Sequence, residues 1–129
     1  MRPLEVPDVS AARDGAVLAA ILELESALPG ASAALVTRGG GILAGKGPSP
    51  GGRELYAVMA ATVFGAAEAG TVELGQELLE VEARLKGGAL VTVAAGRKLV
   101  LVVHVNGQAP SDDARGRIHD CARKLAALF

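Results

Sequence analysis

Tryptophan is absent from the 129 residues, and Tyr56, Phe64 and Phe129 are the whole aromatic content. Single-stranded and RNA-binding modules stack bases on aromatic platforms or present a basic face. With so few rings, scattered basic residues and a net charge of −1, a nucleic-acid-binding role is not expected. A single cysteine, Cys121, excludes an internal disulfide and leaves no redox pair, which fits a reducing cytoplasm. Histidine is nearly as scarce. His119 and Cys121 are two positions apart on a predicted helix and so point about 200° away from each other. With no further cluster of donors in the sequence, no metal site and no cofactor are expected. The N-terminal apolar run AVLAAIL (16–22) stops at Glu23, well short of the roughly 20 residues that span a bilayer. Ahead of it, Arg2, Glu5, Asp8, Arg13 and Asp14 mix both signs, unlike a leader peptide. A soluble cytoplasmic protein with no membrane insertion is the expectation.

Half of the residues are hydrophobic and 21% are charged, as in an ordinary globular protein. The length fits one domain over 1–129, with 1–9 as a flexible lead. A first helix is predicted over 10–28, with Ser10 as N-cap, a stripe of Val17, Ile21, Leu24 and Leu28, and Pro29-Gly30 as the stop. ASAALVT (31–37) and ILAGK (42–46) read as strands, and RELYAVMAATVFGAAEAG (53–70) as a second helix closed by Gly70. Residues 78–86 alternate Leu79, Val81, Ala83 and Leu85 with Glu80, Glu82, Arg84 and Lys86, the pattern of a strand. A Gly87-Gly88 hairpin turn leads to ALVTVAA (89–95), and Gly96-Arg97 leads to KLVLVVHV (98–105), whose unbroken apolar run suits a strand covered on both faces. A last helix over 112–128 gathers Ile118, Cys121, Ala122, Leu125 and Leu128 on one side. The order α-β-β-α-β-β-β-α, with hairpin connections, predicts an α/β (α+β) fold: an antiparallel sheet with helices on both faces.

The stretch RGGGILAGKGPSPGG (38–52) contains Gly40, four residues, Gly45 and Lys46, close to the phosphate-cradling pattern G-x-x-x-x-G-K-[ST]. The context argues against that chemistry. Ile42 and Leu43 belong in a strand, Gly47 replaces the hydroxyl that would hold Mg²⁺, and Pro48 and Pro50 prevent a helix from starting at Lys46. The reading is a hairpin turn at 38–41 and a loop at 47–52. No other enzyme signature stands: Glu80 and Glu82 mark a solvated or paired strand face, Cys121 a small buried hydrophobe, and His104 a hydrogen-bonded structural histidine. A non-enzymatic protein is expected.

The second helix is apolar all round. Leu55, Val58, Met59, Thr62 and Ala66 form a face suited to the sheet, and the opposite side carries Ala57, Ala60, Ala61 and Phe64 where charges would be expected. Small residues admit a second backbone, so this second face is expected to be a subunit interface.

In their order, LPGASAALVTRGGGILA (28–44), ELYAVMAATVFGAAEAG (54–70) and GQELLEVEARLKGGALVTVAAGRKLVLVV (75–103) resemble the Roadblock (dynein light-chain) family, in its bacterial and archaeal branch. The resemblance covers about residues 16–127. It implies a profilin-like, five-stranded antiparallel sheet, with the second helix on one face and the terminal helices on the other. It also implies a homodimer built through the second helix and the third strand, and a small Ras-like GTPase as partner, held or stimulated in its GTP hydrolysis. The alternative is a small-ligand sensor on the same sheet, though the strands offer few inward polar groups for one. In the dimer, Ala57, Ala60, Ala61 and Phe64 would meet their mates. If two third strands pair antiparallel about Ala83, Glu80 faces Lys86 of the second copy and Glu82 faces Arg84.

Overall fold

Strand β5 (Leu99–Asn106) is central and pairs antiparallel with β1 (Ala31–Thr37) on one side and β4 (Gly88–Ala95) on the other. Beyond these lie β2 (Ile42–Gly45) and β3 (Glu80–Leu85), so the five strands run β2-β1-β5-β4-β3, with β2 and β3 at the edges. The computed structural model describes residues 9–45 and 53–129. Of the flexible lead expected at 1–9, residues 1–8 lie outside the described residues, as do Lys46, expected to end a strand, and the loop expected at 47–52; Val9 is helical.

The central position accounts for the apolar run of β5. Leu99, Leu101 and Val103 face one helical layer, and Val100 and Val102 face the other. The first layer holds α1 (Val9–Ala27) and α3 (Asp112–Ala126), which bring Val17, Ile21 and Leu24, and Ile118, Cys121 and Leu125, against Leu35, Val91 and Val93. The second layer is α2 (Arg53–Glu73) alone. This is the expected α/β architecture: a five-stranded antiparallel open sheet with the second helix on one face and the terminal helices on the other.

Several element ends differ from expectation. Ser10 is inside α1, which begins at Val9, so it does not cap the helix. Gly70 lies within α2, which continues to Glu73; the left-handed residue that follows is Gly75, at φ +65°. One glycine without a packing clash costs only about 1 kcal/mol in a helix, too little to end one whose flank is held by the sheet. Ser111 caps α3, its hydroxyl accepting from the Ala114 N–H at 3.1 Å, with Asp112 and Asp113 in the first turn and Arg123 and Lys124 in the last.

The hairpin joining β3 to β4 turns at Lys86-Gly87, one residue earlier than expected, because Gly88 is already paired with Leu85 and Asn106. A Cβ on Gly88 would stand 2.1 Å from the Val105 carbonyl oxygen. Replacing Gly88 with alanine must therefore push β4 away from β5. A loss of about 1–3 kcal/mol is expected in urea unfolding, the usual range for overpacking; an unchanged midpoint would show that the strands yield without cost.

The stretch that resembled a phosphate loop forms a turn at 38–41 and then strand β2. Thr37 closes the turn through its N–H to the Gly41 carbonyl at 2.8 Å, while its hydroxyl accepts from the Gly41 N–H at 2.9 Å. Gly40 and Gly45 both have left-handed backbones, at φ +96° and +91°. Added Cβ atoms would lie 2.8 Å from the Val58 methyl and 2.2 Å from the Ala33 carbonyl oxygen, respectively.

Candidate functional site

Helix α2 packs on the sheet by the face assigned above to a partner. Ala57, Ala60, Ala61 and Phe64 are buried against Ala34, Val36, Leu90, Val100 and Val102 of the same chain. The expectation that they meet a second subunit is therefore corrected. The alanines let the helix axis approach the strands, and the Phe64 ring, fully enclosed, fills the space between. Arg38 from the β1–β2 turn lies over that ring at 5.0 Å and binds Glu68 of α2 at 3.0 Å, securing the turn to the helix. Tyr56, on the flank of the same face, is also buried, which pushes its phenol above the usual range.

The stripe assigned above to the sheet faces solvent instead. Leu55 is 76% exposed, Val58 47%, Met59 46% and Val63 46%, and Thr62 and Ala66 are exposed with them. These positions recur at helical spacing, so they form one continuous apolar strip on the outside of α2. A residue window of α2, Leu55–Glu73, reaches a mean hydropathy of 1.4, long and apolar enough by composition to span a bilayer. Its Phe64 face is occupied by the sheet, so the hydropathy reflects one face in the core and another exposed.

Beside α2 runs β3, an edge strand among the described residues. Val81 packs toward α2, and Ala83 and Leu85 follow it on the same side of the strand at a spacing of two, both more exposed than Val81. The charged side faces α3. Arg115 grips both carboxylates there, donating from Nη1 to Glu80 and from Nη2 to Glu82, the latter at 2.6 Å. His119 Nε2 is 2.8 Å from the other oxygen of Glu80. The hydrogen bond to Glu82 and the charges of both carboxylates hold the Arg115 guanidinium protonated beyond its ordinary range.

Glu80 and Glu82 are thus engaged within the chain, which corrects the view that they await a second subunit's cations. Arg84 and Lys86 are exposed and make no ion pair among the described residues. Of the eight residues expected at an interface, the four on α2 are core and the two glutamates are bound by α3; only Arg84 and Lys86 remain on the surface. Sequence reasoning missed Leu55, Val58, Met59 and Val63 as surface residues, and missed Arg115 and His119 as the partners of the β3 glutamates.

Among the described residues no group of three or more His, Cys, Asp or Glu side chains could hold a metal ion. Cys121 donates its thiol to the Ala20 carbonyl at 3.6 Å, and burial pushes that thiol up to about 11, so it stays protonated and inert. His104 is half-buried on β5 and makes no side-chain hydrogen bond to a described residue, unlike the bonded histidine expected. The arrangement can present an apolar strip and an adjoining strand edge to another polypeptide.

Residues 18–104 match the Roadblock/LC7 domain family. Among solved structures the chain is similar to MglB in a tetrameric arrangement, at 23% identity over 91% of this chain and 90% of that one, with a TM-score of 0.81. It is similar to the gliding protein MglB of Thermus thermophilus, at 22% identity over 91% and 90%, with a TM-score of 0.81. Myxococcus xanthus MglB is 17% identical over 99% of this chain and 94% of that one, with a TM-score of 0.80. At these identities the likeness is one of fold. Among curated proteins, no match is found.

Proposed function

The chain belongs to the Roadblock/LC7 family, and from that premise we propose that it is a non-catalytic, homodimeric regulator that binds a small Ras-like GTPase in the cytoplasm. The observation that carries the reading is the exposed apolar strip of α2 beside the open edge of β3. Such a strip on a lone chain is an aggregation hazard, and a second copy related by a two-fold axis covers it. Antiparallel pairing of two β3 edges about Ala83 would join the sheets into one. It would set Val81 opposite Leu85 of the second copy and bring the two α2 strips side by side. Glu80 and Glu82 would stay with Arg115 of their own chain, leaving Arg84 and Lys86 exposed along the seam. The regulator acts by contact: with Lys46 following a strand and no phosphate cradle before it, the nucleotide belongs to the partner.

Two measurements divide the proposal. An Ala83→Cys variant treated with a short thiol crosslinker should give a covalent dimer, because directly opposed side chains stand about 4.5–5.5 Å apart. The buried Cys121 provides a quiet background, and Leu22→Cys on the outer side of α1 should remain uncrosslinked. A dimeric protein without a crosslink at 83 has its axis elsewhere. For the partner, titration with a Ras-like GTPase encoded beside this gene should give binding that differs between its GDP and GTP forms. Equal or no binding of both forms sinks the GTPase reading and leaves the dimer standing.

A further inference from the structure

Arg13 of α1, Arg97 and Lys98 of the β4–β5 turn, and Phe129 beyond α3 surround a groove of about 470 Å³ on the α1/α3 side of the sheet. Its floor includes Leu99 and Ala126. Gly96, at φ +77°, seats the turn on the last turn of α3: a Cβ there would lie 3.5 Å from that of Ala126. The Arg13 guanidinium lies 4.7 Å from the centroid of the Phe129 ring, and its Nε is buried without a hydrogen-bond partner among the described residues. None of the lining side chains carries a carboxylate, an amide or a hydroxyl. The neighbouring cleft on the α2 side, which Arg97 also borders, differs in holding Glu68 and Glu77, the former matched to Arg38.

Three cations therefore converge around an apolar floor in a chain whose net charge is −1. Cations near the end of α3 complement the helix dipole, and Arg97 and Lys98 fit that simpler role. Arg13 does not, because it comes from α1. The three cations could also hold a phosphate, but a small phosphate would leave the apolar floor of Leu99, Ala126 and Phe129 without a partner. A groove with an apolar floor and a cationic rim is complementary to a segment that alternates apolar and acidic side chains.

We infer that this groove docks an acidic peptide segment of a partner protein, with an apolar side chain against Leu99 and Ala126 and carboxylates over Arg13, Arg97 and Lys98. The surface is separate from the α2 strip and the β3 edge, so it serves a partner other than the second copy described above.

The test titrates the full chain into a fluorescein-labelled DELFDE peptide and follows anisotropy at low salt. Saturable binding is expected, at least tenfold weaker for the NQLFNQ peptide and for the Arg97→Glu/Lys98→Glu variant. Raising salt from about 50 to 200 mM should weaken binding several-fold, since exposed charges are screened over about 10 Å. Should the reversal disturb folding, the Arg97→Gln/Lys98→Gln variant, checked by thermal melting, should show an intermediate loss. Amide shifts on peptide addition should centre on Gly96, Leu99 and Ala126. Equal affinity for the uncharged peptide, shifts centred on Val58 and Met59, or displacement by equimolar ATP would each overturn the inference. No GTPase is present in this assay, so its outcome is independent of the function proposed above.

Discussion

Truncating Phe64 to alanine is expected to cost about 3–5 kcal/mol, the range for a fully enclosed aromatic side chain. The ring is the largest fully buried side chain among the described residues, and it is ringed by alanines and by β-branched residues on strands. Ala57, Ala60 and Ala61 cannot extend into the vacated space, and the strands are fixed by their pairing on both sides. Arg38 would also lose the ring beneath its guanidinium. Against a typical total stability of about 5–15 kcal/mol, the variant should unfold at much lower urea or lose its cooperative transition. A loss below about 1 kcal/mol would mean that the helix presents a different face to the sheet.

The opposite face of the same helix should respond in the opposite way. Met59→Glu is expected to leave the circular dichroism spectrum and melting cooperativity of the monomer in place while abolishing the dimer. Met59 is 46% exposed on the lone chain, so a carboxylate there is solvated until a second copy arrives. Across a two-fold axis the change enters twice, and an unpaired charge buried in an interface costs about 3–5 kcal/mol. Even one such charge corresponds to roughly two to four orders of magnitude in dissociation constant, and the second adds to it. Sedimentation at micromolar concentration is expected to show a dimer for the parent and a monomer for the variant. If Met59→Glu remains dimeric and stable, the α2 strip serves another partner.

The two outcomes concern the one element whose orientation was illegible in the sequence. The strand and helix order, the central place of the KLVLVVHV run and the inward stripe of α1 all follow from periodicities with a polar side to compare against, or from a run too apolar to face water. α2 has no such side. Leu55, Val58 and Met59 on one face and Ala57, Ala60 and Phe64 on the other are equally apolar, so a hydrophobic pattern gives no arrow. The cue was size: three alanines around a phenylalanine suit close approach to a flat sheet, whereas the longer Leu and Met side chains hold a surface further off. The partners of the β3 glutamates were illegible for a different reason. Arg115 is 35 residues from Glu80 in the chain and meets it only because α3 crosses the sheet beside the edge strand. The charge order along β3 invited a search for cations on an adjacent strand, and the helix above it supplied them.

The two glycines of the phosphate-loop lookalike have an origin of their own. Gly40 closes the turn against Val58, and Gly45 passes the Ala33 carbonyl; each needs a bare α-carbon for contacts inside the protein. The four residues between them are one turn position and the first three residues of a short edge strand, a length that happens to equal the spacer of a nucleotide-binding signature. A hairpin of this size, entered and left through left-handed residues, will imitate that signature whenever a lysine comes next. A pattern search reads the same letters in both cases, and the tetrahedral carbon missing from each glycine stands for a neighbouring backbone in one and a phosphate in the other.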